Sequence, residues 1–296
     1  MNLSTWLKVI RLRTLPLALG SLAVGCATVP PEIPLNLLIV GLTLSTIVLL
    51  QILSNVANDY GDGLSGVDSA NRLGPQRVLQ SGLSSPAQLK KGIMWLVFLS
   101  AVSGLSLLGL ALQSLQAILV FLLIGGLSIM AAIRYTVGKR PYGYAAFGDL
   151  SVFVFFGLVA VLGSRYLYYP QLNLDTLLPA ISAGLLATAV LNINNLRDIE
   201  TDTQAGKLTI ASLLGKNRAI VYHWMMTLCA LLGFHLFLAR HSEPSLWFTS
   251  LSIPMLIGVG LRLSKTKTAD DYNQILKRMV LAAFLTDMLF LADLRF

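Results

Sequence analysis

Long apolar runs, each ended abruptly by a polar cluster, set the pattern of this chain. Nine of them approach the roughly 20 residues that carry a helix across a bilayer. They predict spans at 14–30, 35–57, 92–112, 114–133, 147–166, 174–196, 219–239, 245–263 and 275–294. The pattern therefore predicts an all-α, polytopic membrane protein, with residues 1–296 forming one integral membrane domain.

Composition agrees: of 296 residues, 55% are hydrophobic and only 12% charged. The N-terminus carries Lys8, Arg11 and Arg13 but no small-residue cleavage site before a soluble domain, so the first apolar stretch is expected to be retained. Cys26 and Cys229 fall inside apolar segments without metal-type spacing and are read as small buried hydrophobes. With the N-terminus cytoplasmic, nineteen of the 22 Lys and Arg residues lie on that side, against Arg165, Arg240 and Arg295 outside. The positive-inside rule then gives a cytoplasmic N-terminus, an odd number of spans and an outside C-terminus. The net charge of +8 is thus a matter of topology, and no basic–aromatic stretch suggests nucleic acid as a partner.

Acidic residues are fewer and oddly placed. Six of fourteen form two clusters, Asp59, Asp62 and Asp68 after the second span and Asp198, Glu200 and Asp202 after the sixth. Both spans run from outside to inside, so both clusters reach one cytoplasmic surface. "NINNLRDIETD", residues 192–202, echoes "SNVANDYGD", residues 54–62: Asn194 precedes Asp198 by four residues, as Asn55 precedes Asp59. Four spans separate the clusters, which predicts two parallel four-helix pseudo-repeats. On helices, Asn55, Asp59 and Asp62 share a face, and so do Asn194, Asp198 and Asp202. Carboxylates along one strip repel each other, and a divalent cation removes that cost; hard oxygen donors select Mg²⁺ or Ca²⁺ over zinc.

Such strips call for an anion to bridge them. Arg72 and Arg77, flanking Gly74 and Pro75, offer guanidinium forks suited to phosphate, and Lys139, Arg140 and Lys207 add charge from other loops on the same side. Between spans four and five, Tyr142, Tyr144 and Asp149 sit among glycines and a proline. Asp149 can be read as a helix N-cap or as a group orienting a substrate hydroxyl or a lysine. His223, His235 and His241 are far from the acidic clusters, and no nucleophile-and-base arrangement emerges.

These motifs resemble the UbiA-type intramembrane prenyltransferases, whose two Asp-rich motifs take the form NxxxDxxxD or a close variant. "NVANDYGD" and "NNLRDIETD" carry that likeness, the first with a two-residue gap between aspartates. "NDYGDGLSGVD", "RLGPQRVLQSG" and "PYGYAAFGDL" look most like the branch that prenylates 1,4-dihydroxy-2-naphthoate in menaquinone synthesis. The resemblance extends from "WLKVIRLRTLPLAL" to the last span. It implies nine helices around a central cavity, an inner-membrane location, and a polyprenyl diphosphate donor whose tail lies in a groove open to membrane lipid. It also implies Mg²⁺ on Asp59, Asp62, Asp198 and Asp202. The diphosphate is expected on Asn55, Asn58, Arg72, Arg77, Lys139, Lys207, Asn194 and Asn195, and the acceptor on Tyr142, Tyr144 and Asp149.

Other readings remain. A homogentisate or 4-hydroxybenzoate enzyme of the same superfamily would keep both Asp motifs. A CDP-alcohol phosphatidyltransferase would carry its aspartates in one compact motif, and here "GDG" lacks the Ala-Arg that follows it there. A transporter with parallel repeats would place its carboxylates near the bilayer midplane.

Overall fold

The computed structural model describes residues 3–65, 73–74, 76–171, 173–242 and 247–295. Asp68, Arg72 and Pro75 lie outside these residues. A short helix, α1 (Leu3–Ile10), turns through Arg11 into α2 (Leu15–Ala27). Two long helices follow, α3 (Leu37–Ser65) and α4 (Pro86–Ala111). The hydroxyl of Ser85 accepts from Gln88 N–H while the Gln88 side chain accepts from Ser85 N–H, a capping box that starts α4 with Pro86 at its first position. After α5 (Leu115–Arg134) the chain re-enters through α6 (Gly148–Val152), a π-helical stretch over Phe153–Leu162, and α7 (Gly163–Tyr168). The second half contains α8 (Leu177–Arg197), α9 (Ile199–Gln204), α10 (Ile210–His241), α11 (Ile253–Leu263) and α12 (Ala269–Arg295).

Seven helical segments among the described residues are long and apolar enough to cross a membrane. They match the first seven predicted spans. The eighth is a shorter apolar run, Phe248–Leu263, and the ninth, α12, has the length but carries Asp270, Asp271, Lys277, Arg278, Asp287, Asp293 and Arg295. Leu, Met, Phe and Trp side chains stand exposed along α4, α5 and α10, among them Trp95, Phe98, Leu123, Met130, Met225 and Leu232. Hydrocarbon around the protein accounts for a surface of this kind. Cys229 belongs to this exposed face of α10, which corrects its reading as a buried hydrophobe; Cys26 is buried.

The main core forms around α8, where Leu186, Val190 and Ile193 meet Leu17 and Val24 of α2, Met226 and Phe234 of α10, and Met279 and Phe290 of α12. A second core joins Val9, Leu53, Val56, Leu89 and Ile93. Glycine permits the tightest crossing: a Cβ at Gly157 would lie 2.6 Å from the Ala180 carbonyl oxygen and 2.8 Å from the Gly184 Cα. The π-helical stretch and α8 therefore touch backbone to backbone. Uniformly apolar "FVFFGLVAVL" gives no periodicity from which wider π turns could be expected.

The acidic strips form differently in the two halves. α3 runs unbroken past Asp59 and Asp62 to Ser65, so the first strip is a helical face. The second is interrupted: Asp198 (φ −99°, ψ 8°) separates α8 from α9, contrary to the expectation of one continuous helix. Asp198 N–H still donates to the Asn194 carbonyl at 3.2 Å and Asp202 N–H to the Asp198 carbonyl at 2.8 Å, which keeps the three residues in a helix-like row.

Candidate active site

At the end of α3, four elements converge on two carboxylates. Arg11, held in the left-handed region (φ 54°) at the elbow between α1 and α2, and Arg77, from the loop before α4, both donate to Asp59 Oδ1. Arg77 Nη2 also donates to Asp62 Oδ2 at 3.0 Å, and the Tyr144 hydroxyl donates to Asp62 Oδ1 at 2.7 Å. The chain leaving α5 docks on the same helix end. Thr136 donates to the Ala57 carbonyl at 3.0 Å, and Gly61 makes room, since a Cβ there would stand 2.6 Å from the Thr136 carbonyl oxygen.

The second strip has its own cations. Arg197 forks onto Asp198, Nε to Oδ1 at 2.8 Å and Nη2 to Oδ2 at 2.6 Å. The same guanidinium donates to Asn194 Oδ1 at 2.9 Å and to Asn273 Oδ1 of α12 at 2.7 Å. Lys207 Nζ pairs with Asp202 Oδ1 at 3.2 Å. Burial pushes the Asp202 carboxyl above the usual carboxylate range; Lys207 opposes that shift, while the charges of Asp198 and Asp62 add to it. Asn55, Asn58 and Asp62 of the first strip and Asn194, Asn195 and Lys207 of the second line the same cavity, so the two strips belong to one site.

The repeated Asn has a physical role. Asn55 Nδ2 donates to the Ile10 carbonyl at 2.9 Å, fixing the elbow that delivers Arg11 to Asp59. Asn194 accepts from Arg197, which it thereby aims at Asp198. In each half, the Asn four residues ahead of the Asp secures the arginine that pairs with it.

A cavity of about 1400 Å³ opens from these strips, larger than the usual small-molecule pocket of roughly 300–1,000 Å³. Arg11, Asn55, Asn58, Asp62, Arg77, Asn194, Asn195 and Lys207 line its polar end. Beyond them the lining is apolar, with Leu105, Leu108, Val120, Phe121, Ile124, Phe155, Phe156 and Val159 contributed by α4, α5 and the π-helical stretch. The widened turns thus form one wall.

The remaining predicted residues scatter somewhat. Lys139 is exposed on the turn after α5 and does not line the cavity. Tyr142 does line it, edge-on to Tyr135 with ring centroids 5.4 Å apart, and its hydroxyl donates to the Ala131 carbonyl at 2.9 Å. Asp149 is buried at the second position of α6, whose N-cap is Phe147, so it is not the cap; its Oδ2 has no hydrogen-bond partner among the described residues, and Tyr222 is its neighbour. Sequence reasoning missed Arg11, Arg197 and Asn273. Arg197 stands next to Asp198 inside the acidic motif, a signal that could have been read; Arg11 and Asn273 come from distant elements and left none.

The donor set bears on a metal. Among the described residues, no three His, Cys, Asp or Glu side chains come close enough to hold an ion alone. Asp202 Oδ2 is nonetheless buried without a hydrogen-bond partner among the described residues, and all the candidate donors are hard oxygens. The fit is to a cation such as Mg²⁺ that takes one or two carboxylates and completes its shell with water and phosphate.

Comparison with known proteins shows the family. Residues 15–285 match the UbiA prenyltransferase family. A 1,4-dihydroxy-2-naphthoate octaprenyltransferase of Escherichia coli (strain K12) is 43% identical over 96% of this chain and 93% of its own length. A protein of that name from Mycobacterium tuberculosis is 38% identical over 80% of each. In fold, a UbiA homologue from Archaeoglobus fulgidus bound to GPP and Mg²⁺ superposes with a TM-score of 0.67 at 15% identity, covering 99% of this chain and 100% of that one. On family match and identity together, this multi-pass membrane chain belongs to the UbiA prenyltransferase family.

Proposed function

We propose that this chain transfers a long polyprenyl group from polyprenyl diphosphate to 1,4-dihydroxy-2-naphthoate, releasing diphosphate and carbon dioxide and leaving demethylmenaquinol. The observation that carries the reading is the meeting of two carboxylate strips, matched by basic side chains, at the polar mouth of a long apolar cavity. The naphthoate acceptor is favoured because the relatives above that cover most of this chain bear that activity in their names.

Arg77 and Lys207 line the polar end and are assigned to the diphosphate oxygens, with Asn58 and Asn195 beside them. Arg72, outside the described residues, keeps this role on sequence grounds. Mg²⁺, when bound to Asp59, Asp62, Asp198 and Asp202, would supply the positive charge that makes diphosphate a good leaving group. The apolar walls hold the isoprenoid tail and keep water from the allylic carbon as its C–O bond breaks. The electron-rich ring carbon bearing the acceptor carboxylate then bonds to that carbon. The electrons of the ring–carboxylate bond return to the ring as carbon dioxide leaves, so no strong base is required. Tyr142, which reaches the cavity, and the buried Asp149 are assigned to the acceptor side. The positive-inside distribution supports an inner-membrane enzyme with both strips at the cytoplasmic face and the C-terminus outside.

The test is the purified protein with labelled octaprenyl diphosphate and, in turn, 1,4-dihydroxy-2-naphthoate, 4-hydroxybenzoate and homogentisate. Prenylated product with one carbon dioxide released per transfer, from the naphthoate alone, is expected. Product from either of the other acids would move the acceptor assignment. Movement of labelled diphosphate across vesicles without product would replace catalysis with transport.

A further inference from the structure

Asp59 and Asp62 are paired with Arg11 and Arg77, and Asp198 and Asp202 with Arg197 and Lys207, so these ion pairs hold each strip internally but do not set the spacing between the two. The loop between α5 and α6 reaches both. At one end, the Tyr144 hydroxyl donates to Asp62 Oδ1 at 2.7 Å and lies 3.0 Å from Ser65 Oγ, the last residue of α3. At the other, Leu208 N–H donates to the Tyr144 carbonyl at 3.0 Å and Ala146 N–H donates to the Leu208 carbonyl at 3.1 Å, forming a parallel bridge between Ala145 and Leu208. Lys207, adjacent in that bridge, places its Nζ 6.0 Å over the Tyr144 ring and 3.2 Å from Asp202 Oδ1. Lys207 N–H is itself tied to the Asp202 carbonyl at 2.8 Å.

This loop is held in a shape that costs energy. Ala146 sits at φ 62°, a left-handed conformation uncommon for a residue with a side chain. Gly143 lies so close to Tyr135 that a Cβ would be 2.5 Å from its carbonyl oxygen, and Gly143 N–H donates to that oxygen at 3.0 Å. Strain of this kind persists where the surroundings over-determine the backbone.

We propose that Tyr144 is a positioning residue that straps the two carboxylate strips together, setting the distance between Asp62 and Asp202 so that a metal-bound diphosphate can be held by both halves at once. The proposal rests on the prenyl-transfer reading and deepens it. It also moves Tyr144 from the acceptor side of the site to the diphosphate side. Its hydroxyl is committed to Asp62, its ring to Lys207, and its carbonyl to the segment after α9.

Tyr144→Phe removes only the oxygen that reaches Asp62. The measurement is thermal stability in detergent with geranyl diphosphate held constant and Mg²⁺ titrated. In the unaltered chain, Mg²⁺ and geranyl diphosphate together should raise the melting temperature. In Tyr144→Phe, the Mg²⁺ concentration for half-maximal stabilisation should rise about tenfold, while the KM for the aromatic acceptor stays within twofold. Ser65→Ala, which keeps the Asp62 contact but loosens the same hydroxyl, should shift the Mg²⁺ midpoint in the same direction by less, and it carries the test if Tyr144→Phe does not fold. An unchanged Mg²⁺ midpoint in Tyr144→Phe with a raised acceptor KM would overturn the strap and return Tyr144 to the acceptor. So would an unchanged midpoint in both variants. Absence of Mg²⁺-dependent stabilisation in the unaltered chain would overturn the prenyl-transfer reading itself, a result separable from the other two.

Discussion

Replacing Arg197 with alanine removes a guanidinium whose side chain is 1% exposed and whose partner, Asp198, is 8% exposed. Four hydrogen bonds go with it, two to Asp198 and one each to Asn194 and Asn273. What remains is a buried carboxylate with no countercharge from that side, and two carboxamide oxygens without their donor. Breaking a buried ion pair by removing one partner costs about 3–5 kcal/mol. The orphaned amides add to this only partly, because water entering the space left by the side chain can satisfy them. An overall loss of about 3–5 kcal/mol is therefore expected, or on the order of 10 °C in melting temperature at about 2–4 °C per kcal/mol. The assay is thermal unfolding of purified Arg197→Ala, Asp198→Asn and the double variant, read as a cycle. Asn at 198 removes the stranded charge, so the double variant should be more stable than the sum of the single losses implies, with a coupling of about 1–3 kcal/mol. A loss below about 0.5 kcal/mol in Arg197→Ala, the range of an ordinary surface substitution, would refute the reasoning, as would strictly additive single effects.

Three further outcomes are expected. Arg77→Ala should raise the KM for polyprenyl diphosphate about 10- to 100-fold, equivalent to roughly 1.4–2.8 kcal/mol, and leave the acceptor KM nearly unchanged; equal effects on both substrates in steady-state kinetics would contradict a phosphate role. Gly157→Ala, whose new methyl would stand 2.6 Å from the Ala180 carbonyl oxygen, should destabilise the protein by about 1–3 kcal/mol in thermal unfolding, because two backbones must part to admit it. Cysteines placed at Ser65 or Gln204 in a chain otherwise free of cysteine should resist an impermeant thiol reagent added from outside the cell, and their labelling would reverse the assigned orientation.

Much of this site was legible because its signals are local. Asn55, Asp59 and Asp62 fall on one face of a continuous helix, and in so apolar a chain a cluster of carboxylates stands out against its surroundings. What surrounds those carboxylates was not legible. Arg11 lies 48 positions from Asp59 and reaches it only because the elbow between α1 and α2 folds under the end of α3, an approach that the Asn55 side chain holds. Asn273 meets Arg197 across 76 positions. The interruption of the helix at Asp198 keeps the backbone bonds from Asp198 to Asn194 and from Asp202 to Asp198, so the three residues stay in a row and the sequence spacing gives no sign of the break. The π-helical stretch is uniformly apolar, and such a run carries no register from which its turns could be counted. Charge at the start of α12 likewise hid its first turns: the apolar run predicts 275–294, whereas the helix begins at Ala269.

The central claim is that the two strips act together on a metal-bound diphosphate, and Asp59→Asn and Asp198→Asn test it most directly. Asparagine keeps the shape and one acceptor oxygen for Arg11, Arg77 or Arg197 but removes the charge that would hold a dication. Octaprenyl transfer to 1,4-dihydroxy-2-naphthoate should be measured against Mg²⁺ concentration in each purified, folded variant. The account expects each substitution alone to lower turnover on the order of a thousandfold or more, with no recovery at high Mg²⁺. Turnover near that of the unaltered protein in either variant would contradict it.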